Sequence, residues 1–255
     1  MEFLSQTYLE TTTQIAVNTS TITADNMMDP DVRRQYVSDG FNSDLTTVSI
    51  TISFDSTQSV DRIALMEFNA KKFNVYYNGV TANAFTISNP TITSQFTNNS
   101  ASSLYLSSAA PVACTSVTFD FYSTQVSNVE KAIGYLYVGA NALTFPRIPN
   151  ASNYTPLRDP KEFIHELSDG GTRRHMVQTK WATKIKFQYI TTSFRDSLRT
   201  IWETMAPYVF VPFGTGTSWD GILFEANWIG NFEFYKYSDD ASDSGYSGSI
   251  ELKET

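Results

Sequence analysis

Cysteine is nearly absent from this 255-residue chain: Cys114 stands alone, which excludes an internal disulfide framework. Charge is also sparse, at 17% of residues, and the net charge of −8 comes without a basic tract, so we expect no binding of nucleic acid through its phosphates. No apolar run approaches the roughly 20 residues that span a membrane. Residues 1–6 lack the basic and apolar regions of a secretory signal, so we expect a protein that is made in a cytoplasm and stays there or leaves by another route.

The residues that are abundant point to β-structure. Aromatic residues make up 14% of the chain, and its many Ser, Thr and Asn residues favour strands and turns over helices. Residues 1–145 alternate between apolar and polar positions, with turn signals about every ten residues, as in a β-sandwich. Asn78 and Gly79 form a strong hairpin signal. The predicted strands are Val48–Phe54, Ile63–Leu65, Phe73–Tyr77, Val117–Phe121 and Ile133–Val138.

A proline-rich segment separates this half from the next. Pro146, Pro149, Pro156 and Pro160 fall within fifteen residues, which predicts a linker or an extended arm over residues 146–160. We place the domain boundary near Asn150.

Residues 161–255 predict a second β-rich domain with one helix. After a strand region from Lys161 and an Asp-Gly-Gly turn, residues 180–189 alternate as a half-buried strand. A helix is predicted over residues 193–206, with Ser193 and Asp196 as a weak capping box and Pro207 as its end. Its apolar stripe is Phe194, Leu198, Ile201, Trp202 and Met205. Further strands are predicted at Tyr208–Val211, Ile222–Trp228, Asn231–Tyr237 and Tyr246–Leu252.

The two histidines are the first candidates for a site. His165 and His175 flank the turn and could bind a metal with Glu166 or Asp169, but no third strong ligand stands at a suitable spacing. No Ser or Thr context marks a nucleophile beside either histidine. We therefore expect no catalytic residues and no metal site here.

Other candidates are weaker still. Asp239, Asp240 and Asp243 could gather around calcium, although a solvated acidic loop explains them better. Asp220 and Glu225 could serve as paired carboxylates for glycoside hydrolysis, but neither has a context that implies a raised pKa.

Glycines, arginines and aromatic residues have plain structural interpretations. Gly214 and Gly216 lack the strand-to-helix setting of a phosphate loop, so we expect no cofactor. The pairs Arg33–Arg34 and Arg173–Arg174 are interpreted as solvated loop charges.

Four tyrosines could stack on a sugar, although their strand positions favour packing roles, and Trp181 is expected to pack on Trp202. These tyrosines are Tyr76, Tyr77, Tyr105 and Tyr122.

Residues 15–140 resemble the discoidin, or galactose-binding-like, β-sandwich of the coagulation-factor-5/8 type C family. The matching segments are Ile22–Asp29, Tyr36–Gly40, Val48–Phe54, Ser59–Leu65, Phe73–Gly79 and Ile133–Val138. The resemblance implies binding of sugars, lipids or proteins through loops at one end of the sandwich. It also implies a second candidate calcium site, since some members hold a structural calcium near the loops that here carry Asp25, Asp29, Asp31 and Asp39.

The second half resembles tail proteins of long-tailed bacteriophages. The matching features are Leu167–Gly171, the strand 180–189, the helix, Pro207–Pro212, the aromatic residues Trp228, Phe232 and Phe234, and Gly245–Leu252. The resemblance implies a tail-tube-like β-sandwich or split barrel with one flanking helix. Distal tail proteins usually carry this ring-forming domain first, whereas here it comes second.

The resemblances predict a structural component of a phage or phage-like tail, without enzymatic activity and located in the virion. It would form a distal-tail or baseplate ring with copies of itself, and contact tail-tube and baseplate-hub proteins. The alternative is a carbohydrate- or receptor-binding module of a tail tip, with a host-surface glycan as its partner.

Overall fold

The computed structural model describes residues 1–19, 23–29, 34–81, 83, 85, 95–146, 154–166, 171–204, 208–212, 223–236 and 245–254. Within these ranges the chain is mostly β-strand, with one α-helix, α1 (Thr192–Thr204), and two short 3-10 segments. The predicted mostly β fold class is therefore confirmed. None of the helical segments in these ranges is long and apolar enough to cross a membrane.

The chain divides into two compact units. The N-terminal unit comprises Glu2–Ala142 together with Val211–Leu223, and the C-terminal unit comprises Met1, Leu143–Phe210 and Phe224–Thr255. The division therefore falls between Ala142 and Leu143, whereas the expected boundary at Asn150 lies outside the described residues.

The N-terminal unit is built on an antiparallel sheet that curls around one core. The strands up to residue 144 are β1 (Glu2–Leu4), β2 (Ile15–Val17), β3 (Tyr36–Val37), β4 (Val48–Met66), β5 (Ala70–Tyr77), β6 (Gln95–Phe96), β7 (Leu104–Thr124), β8 (Ala132–Ile133), β9 (Tyr135–Gly139) and β10 (Asn141–Thr144). The main sheet has the order β2-β4-β7-β5-β6, β9 also pairs with β4, and β3 pairs with β8. Apolar positions of β4, β5, β7 and β9 meet in a buried cluster, as their alternating pattern predicts.

The expectation of separate strands at Val48–Phe54 and Ile63–Leu65 is wrong, because both belong to β4. The polar stretch between them stays within the strand: Ser53 pairs with Ser116 of β7, the pairing resumes with Gln58 opposite Cys114, and a second register shift lies between Val60 and Arg62. Bulges of this kind bend a strand without ending it. The polar residues 55–59 therefore mark a bend in one long strand, not a turn between two.

The C-terminal unit packs α1 with a second antiparallel sheet. Its remaining strands are β11 (Tyr154–Glu166), β12 (Thr172–Ile190), β13 (Tyr208–Val211), β14 (Phe224–Ile229), β15 (Phe234–Lys236) and β16 (Tyr246–Glu254). They follow the order β13-β14-β16-β12-β11, with β15 also paired to β16. Phe145 lies at the centre of the aromatic core, with ring centroids 5.5 Å from Phe187, 5.6 Å from Phe194 and 6.2 Å from Phe210.

Helix α1 begins one residue earlier than predicted, and its cap is a different residue. Thr191, not Ser193, caps the helix: its Oγ1 accepts a hydrogen bond from the Phe194 N–H at 3.2 Å. Phe194, Leu198 and Ile201 are buried, as the apolar stripe predicts. Residues 205–207 lie outside the described part of the chain.

Strand β11 begins at Tyr154, so the expectation that the strand starts at Lys161 is wrong. Residues 154–160 of the predicted linker are paired with β12, while residues 147–153 lie outside the described ranges. Pro156 and Pro160 fit in this strand because β11 is the last strand in the order of its sheet, and an edge strand tolerates residues that donate no ladder hydrogen bond.

Candidate functional site

The outer part of the β11–β12 hairpin has only two strands in the described residues. Strand β12 pairs with β16 from Ala182 to Ile190, and beyond that point it pairs with β11 alone as far as Thr172. At about 3.3 Å per residue, the stretch from Thr172 to Lys180 extends for about 30 Å. We call residues 161–166 and 172–180 the β-ribbon.

The β-ribbon exposes large apolar side chains beside basic ones. Phe163 is 55% and Ile164 58% exposed. Because they are adjacent in a strand, they point to opposite faces, so the ribbon shows an apolar side chain on each face. Arg173 and Arg174 are exposed, as expected, but they lie in strand β12 and not in a loop.

The register of the β-ribbon does not place the two histidines opposite each other. His165 lies opposite Arg173, and His175 lies opposite Phe163. Asp169, the other proposed ligand, lies outside the described residues. Among the described residues no group of three or more His, Cys, Asp or Glu side chains could hold a metal ion.

A second surface is formed by two loops of the N-terminal unit, residues 39–46 and 124–131, which we call the loop pair. A buried lysine links them: Lys131 Nζ donates to the carbonyl oxygens of Phe41 at 3.2 Å, Ser43 at 2.7 Å and Thr46 at 3.0 Å. Burial lowers the pKa of this ammonium group, and the carboxylate of Asp44 partly offsets the effect. The lysine is therefore an internal cross-link.

Side-chain hydrogen bonds fix the same two loops from outside. The N–H and Oγ1 of Thr124 donate to the Asp44 carboxylate at 3.2 and 3.1 Å. The Asp44 N–H donates to Asn128 Oδ1 at 3.3 Å, and the Gly40 N–H donates to Glu130 Oε1 at 3.1 Å. Burial raises the pKa of the Asp44 carboxyl, but the hydrogen bonds from Thr124 outweigh it, so the pKa lies below its usual range.

A third surface is a cavity of about 610 Å³ on the outer face of β12, β15 and β16. Lys184, Lys186, Tyr189, Tyr235 and Ser249 are among its lining residues. Tyr235 is 68% and Tyr189 55% exposed. Tyr189 has a φ of 58° where the register of β12 and β16 shifts, so a bulge presents its ring at the cavity.

The four tyrosines proposed as sugar platforms lie in or against the sheet. Tyr76 and Tyr105 are buried, and Tyr77 and Tyr122 are half-buried. Burial, followed by the charge of Asp120, raises the pKa of Tyr76 to about 12. Throughout residues 2–142 no aromatic residue is exposed, and the undescribed positions of this stretch contain none.

Tyr105 belongs to a buried polar network. Its hydroxyl donates to Glu2 Oε1, and the guanidinium of Arg62 donates to Glu2 Oε2 at 3.0 and 3.2 Å. The Asn141 amide donates to the same carboxylate. Burial and the Glu2 charge raise the Tyr105 pKa far above its ordinary value, so this tyrosine has a structural role.

The remaining candidates stay apart or fall outside the described residues. Asp25 and Asp39 are exposed, and Asp29 lies 3.8 Å from Arg34 in an exposed ion pair. Trp202 packs on Phe232 at 5.9 Å and its Nε1 donates to the Gly230 carbonyl; its packing on Trp181 stays a prediction. The candidates outside the described residues are Asp31, Arg33, Gly214, Gly216, Asp220, Asp239, Asp240 and Asp243.

Sequence reasoning missed the residues that define the three surfaces. Leu45 and Lys131 stand alone in polar turns and carry no periodic signal. The adjacent pair Phe163 and Ile164 did hold a signal, because neighbouring apolar residues in a strand cannot both face one core.

No protein-family model matches the chain, and no curated protein sequence does either. Several solved structures are similar to part of the chain. One is chitosan-binding module 2 of a chitosanase/glucanase from Paenibacillus sp. IK-5, in complex with chitotriose, which is 15% identical. The match covers 49% of this chain and 95% of that one, with a TM-score of 0.39. The family 32 carbohydrate-binding module of Clostridium perfringens NanJ, in complex with galactose, has 12% identity, coverages of 50% and 94%, and a TM-score of 0.37. A further module from Clostridium perfringens, CpGH89CBM32-6, has 12% identity, coverages of 53% and 99%, and a TM-score of 0.37. These structural neighbours are carbohydrate-binding modules, and at this level of likeness they transfer neither a ligand nor a site to this chain.

Proposed function

We propose that this chain is a non-enzymatic structural protein that assembles with copies of itself, as a component of a phage or phage-like tail. The observation that carries the proposal is the β-ribbon, with Phe163 and Ile164 exposed on its opposite faces. The resemblance of residues 161–255 to tail proteins supplies the kind of assembly: a distal-tail or baseplate ring that contacts tube and hub proteins in the virion.

The physical argument starts from the marginal stability of an isolated two-stranded ribbon in water. In the described residues no third strand pairs with the β-ribbon, and strands at a sheet edge are templates for pairing with another chain. A neighbour that covers Phe163 and Ile164 removes apolar surface from water at about 25 cal/mol per Å². Association therefore stabilises a segment that is poorly stabilised alone.

The basic character of the ribbon favours a copy of the same chain as that neighbour. The β-ribbon contains four basic residues, Lys161, Arg173, Arg174 and Lys180, against two acidic ones, Glu162 and Glu166, whereas the whole chain carries a net charge of −8. A net basic ribbon and an acidic remainder attract each other between copies, and a repeated contact between two different patches gives a ring where the rotation between copies closes.

The test is the mass of the purified chain as a function of concentration, measured by sedimentation velocity and light scattering, with negative-stain microscopy of the larger species. We expect association for the unchanged chain and its loss in the double variant Phe163→Ser/Ile164→Ser. The matched control is Val80→Ser, which removes an exposed apolar residue of a turn in the other unit. An unchanged chain that stays monomeric, both alone and with tail-tube protein, contradicts the proposal.

A second candidate function is saccharide binding at the cavity on β12, β15 and β16. The exposed rings of Tyr189 and Tyr235 beside Lys186 and Ser249 favour it, because aromatic faces stack on sugar rings while polar groups bind hydroxyls. The N-terminal unit offers no comparable exposed ring in residues 2–142. Calorimetric titration with neutral and acidic oligosaccharides tests this candidate: binding that Tyr235→Ala removes and Ile229→Ala retains supports it.

A further inference from the structure

The loop pair of the N-terminal unit exposes apolar side chains on a fixed backbone. Leu45 is 97%, Val126 67% and Val129 36% exposed. The hydrogen bond from the Asp44 N–H to Asn128 Oδ1 brings the two loops side by side, so these three side chains belong to one end of the unit. Exposed apolar residues that cluster in this way mark an interaction surface more often than scattered ones do.

The rigidity of the loop pair separates it from an ordinary surface loop. Lys131 Nζ holds three carbonyl groups of one loop, and Thr124 holds the Asp44 carboxylate. Leu45 is therefore presented on a preformed backbone, and its burial by a partner needs little further ordering of the chain.

The loop pair carries a net negative charge. Asp39 is exposed, Asp44 and Glu130 are half-buried carboxylates, and the one lysine of these loops is turned inward onto carbonyl oxygens. The partner that fits is therefore apolar and basic. The β-ribbon has this combination, with Phe163 and Ile164 exposed and with four basic residues against two glutamates.

We infer that the loop pair of one copy receives the β-ribbon of the next copy. The inference rests on the proposed function and names the receiving surface of the ring contact. The contact is heterologous, because the ribbon and the loop pair are different patches of the same chain. Two facing loop pairs would bring like charges together, so the charge pattern favours a head-to-tail contact over a two-fold dimer.

A complementation experiment with two full-length variants tests this contact. The ribbon variant, Phe163→Ser/Arg173→Glu, keeps the loop pair and loses the ribbon surface. The loop variant, Leu45→Ser/Val126→Ser, keeps the ribbon and loses the receiving surface. Leu45 and Val126 are exposed and Lys131 is retained, so we expect both variants to keep the thermal unfolding transition of the unchanged chain.

Each variant alone is expected to remain monomeric. Mixed in equal amounts, they are expected to form a one-to-one complex of twice the monomer mass that grows no further, since only one functional contact is left. Sedimentation velocity measures this mass. As a control, Val80→Ser replaces the loop variant, and it is expected to continue to assemble.

The outcomes separate the inference from the proposed function. A loop variant that assembles like the unchanged chain, while the ribbon variant does not, overturns the inference and leaves the proposed function in place. Two monomeric variants that form no complex when mixed also overturn the inference, because the two patches then do not meet. A ribbon variant that assembles normally overturns both.

A charge exchange provides a second, independent measurement. Asp39→Lys is expected to weaken assembly, and Arg173→Glu in the same chain is expected to restore part of it, because the exchanged charges again attract across the contact. If the effects of the two substitutions are simply additive, the two residues do not face each other, and the pairing is overturned.

Discussion

Lys131 and Ser43 are joined by a hydrogen bond of 2.7 Å from the lysine Nζ to the serine carbonyl oxygen, although Lys131 is only 1% exposed. A lysine is seldom buried this deeply unless it is paired. Here carbonyl oxygens of one loop provide the pairing, so the ammonium group serves as the centre around which residues 41–46 are arranged. The shape of the loop pair therefore depends on one side chain.

Replacing Lys131 with Met is expected to destabilise the chain by about 2–4 kcal/mol. Methionine has a similar volume but donates no hydrogen bond, so the carbonyl groups of Phe41, Ser43 and Thr46 lose their partner. Urea denaturation measures the change, with the exposed Lys71→Met as the control. Equal midpoints for the two variants contradict the cross-linking role.

The stability of the chain is expected to fall as the pH rises above about 10, in part because of Tyr105. The pKa of the Tyr105 hydroxyl is raised in the folded state. Above the pKa of the unfolded chain, the unfolded tyrosine therefore loses its proton while the folded one keeps it. The contribution is therefore fully present below about pH 10 and is lost with increasing pH, at up to about 1.4 kcal/mol per pH unit. Urea denaturation between pH 8 and 11 measures this slope.

The matched variant for this prediction is Tyr105→Phe. At pH 8 it is expected to be less stable by about 1.5–3 kcal/mol, because the hydrogen bond to the Glu2 carboxylate is lost. The difference from the unchanged chain should shrink above pH 10, since phenylalanine does not ionise. The exposed control Tyr235→Phe should show a stability difference that does not change with pH. The same pH independence for Tyr105→Phe contradicts the raised pKa of Tyr105.

Gly248→Ala is expected to destabilise the C-terminal unit by about 1–3 kcal/mol. A Cβ at this position would lie 2.5 Å from the Glu233 carbonyl oxygen and 2.6 Å from the Phe234 ring, so β15 would have to move away from β16. Ser247→Ala, next to it on β16, is the control. Thermal unfolding distinguishes them, and equal transition temperatures contradict the tight approach of the two strands.

Periodicity predicted the elements whose burial is one-sided. The alternation of Val48–Phe54 and the stripe of Phe194, Leu198 and Ile201 were correct because each pattern follows the face that meets a core. The predicted strand boundaries were less accurate where pairing with a distant strand decides them. Residues 55–59 look like a turn locally, and only the pairing with β7 at Ser53 and again from Gln58 makes the stretch part of β4.

The three candidate surfaces were harder to predict from the sequence. The β-ribbon is defined by where β16 stops pairing with β12, which is a relation between strands distant in sequence. The role of Lys131 depends on loop carbonyl groups some 85 to 90 positions away. Neither relation leaves a local pattern in the sequence.

Cys114 is expected to resist thiol reagents until the N-terminal unit unfolds. It is 1% exposed, and burial raises the pKa of its thiol to about 11, so the reactive thiolate is scarce near neutral pH. Labelling with a disulfide reagent at pH 8 should be about a thousandfold slower in buffer than in concentrated urea, since the native rate follows the rare open state. The Lys131→Met variant should label faster, by about tenfold for each 1.4 kcal/mol of lost stability, if opening of the whole unit exposes the thiol. Equally fast labelling of both variants, independent of urea, would show that a local opening around β7 exposes Cys114. That result would contradict a single cooperative core.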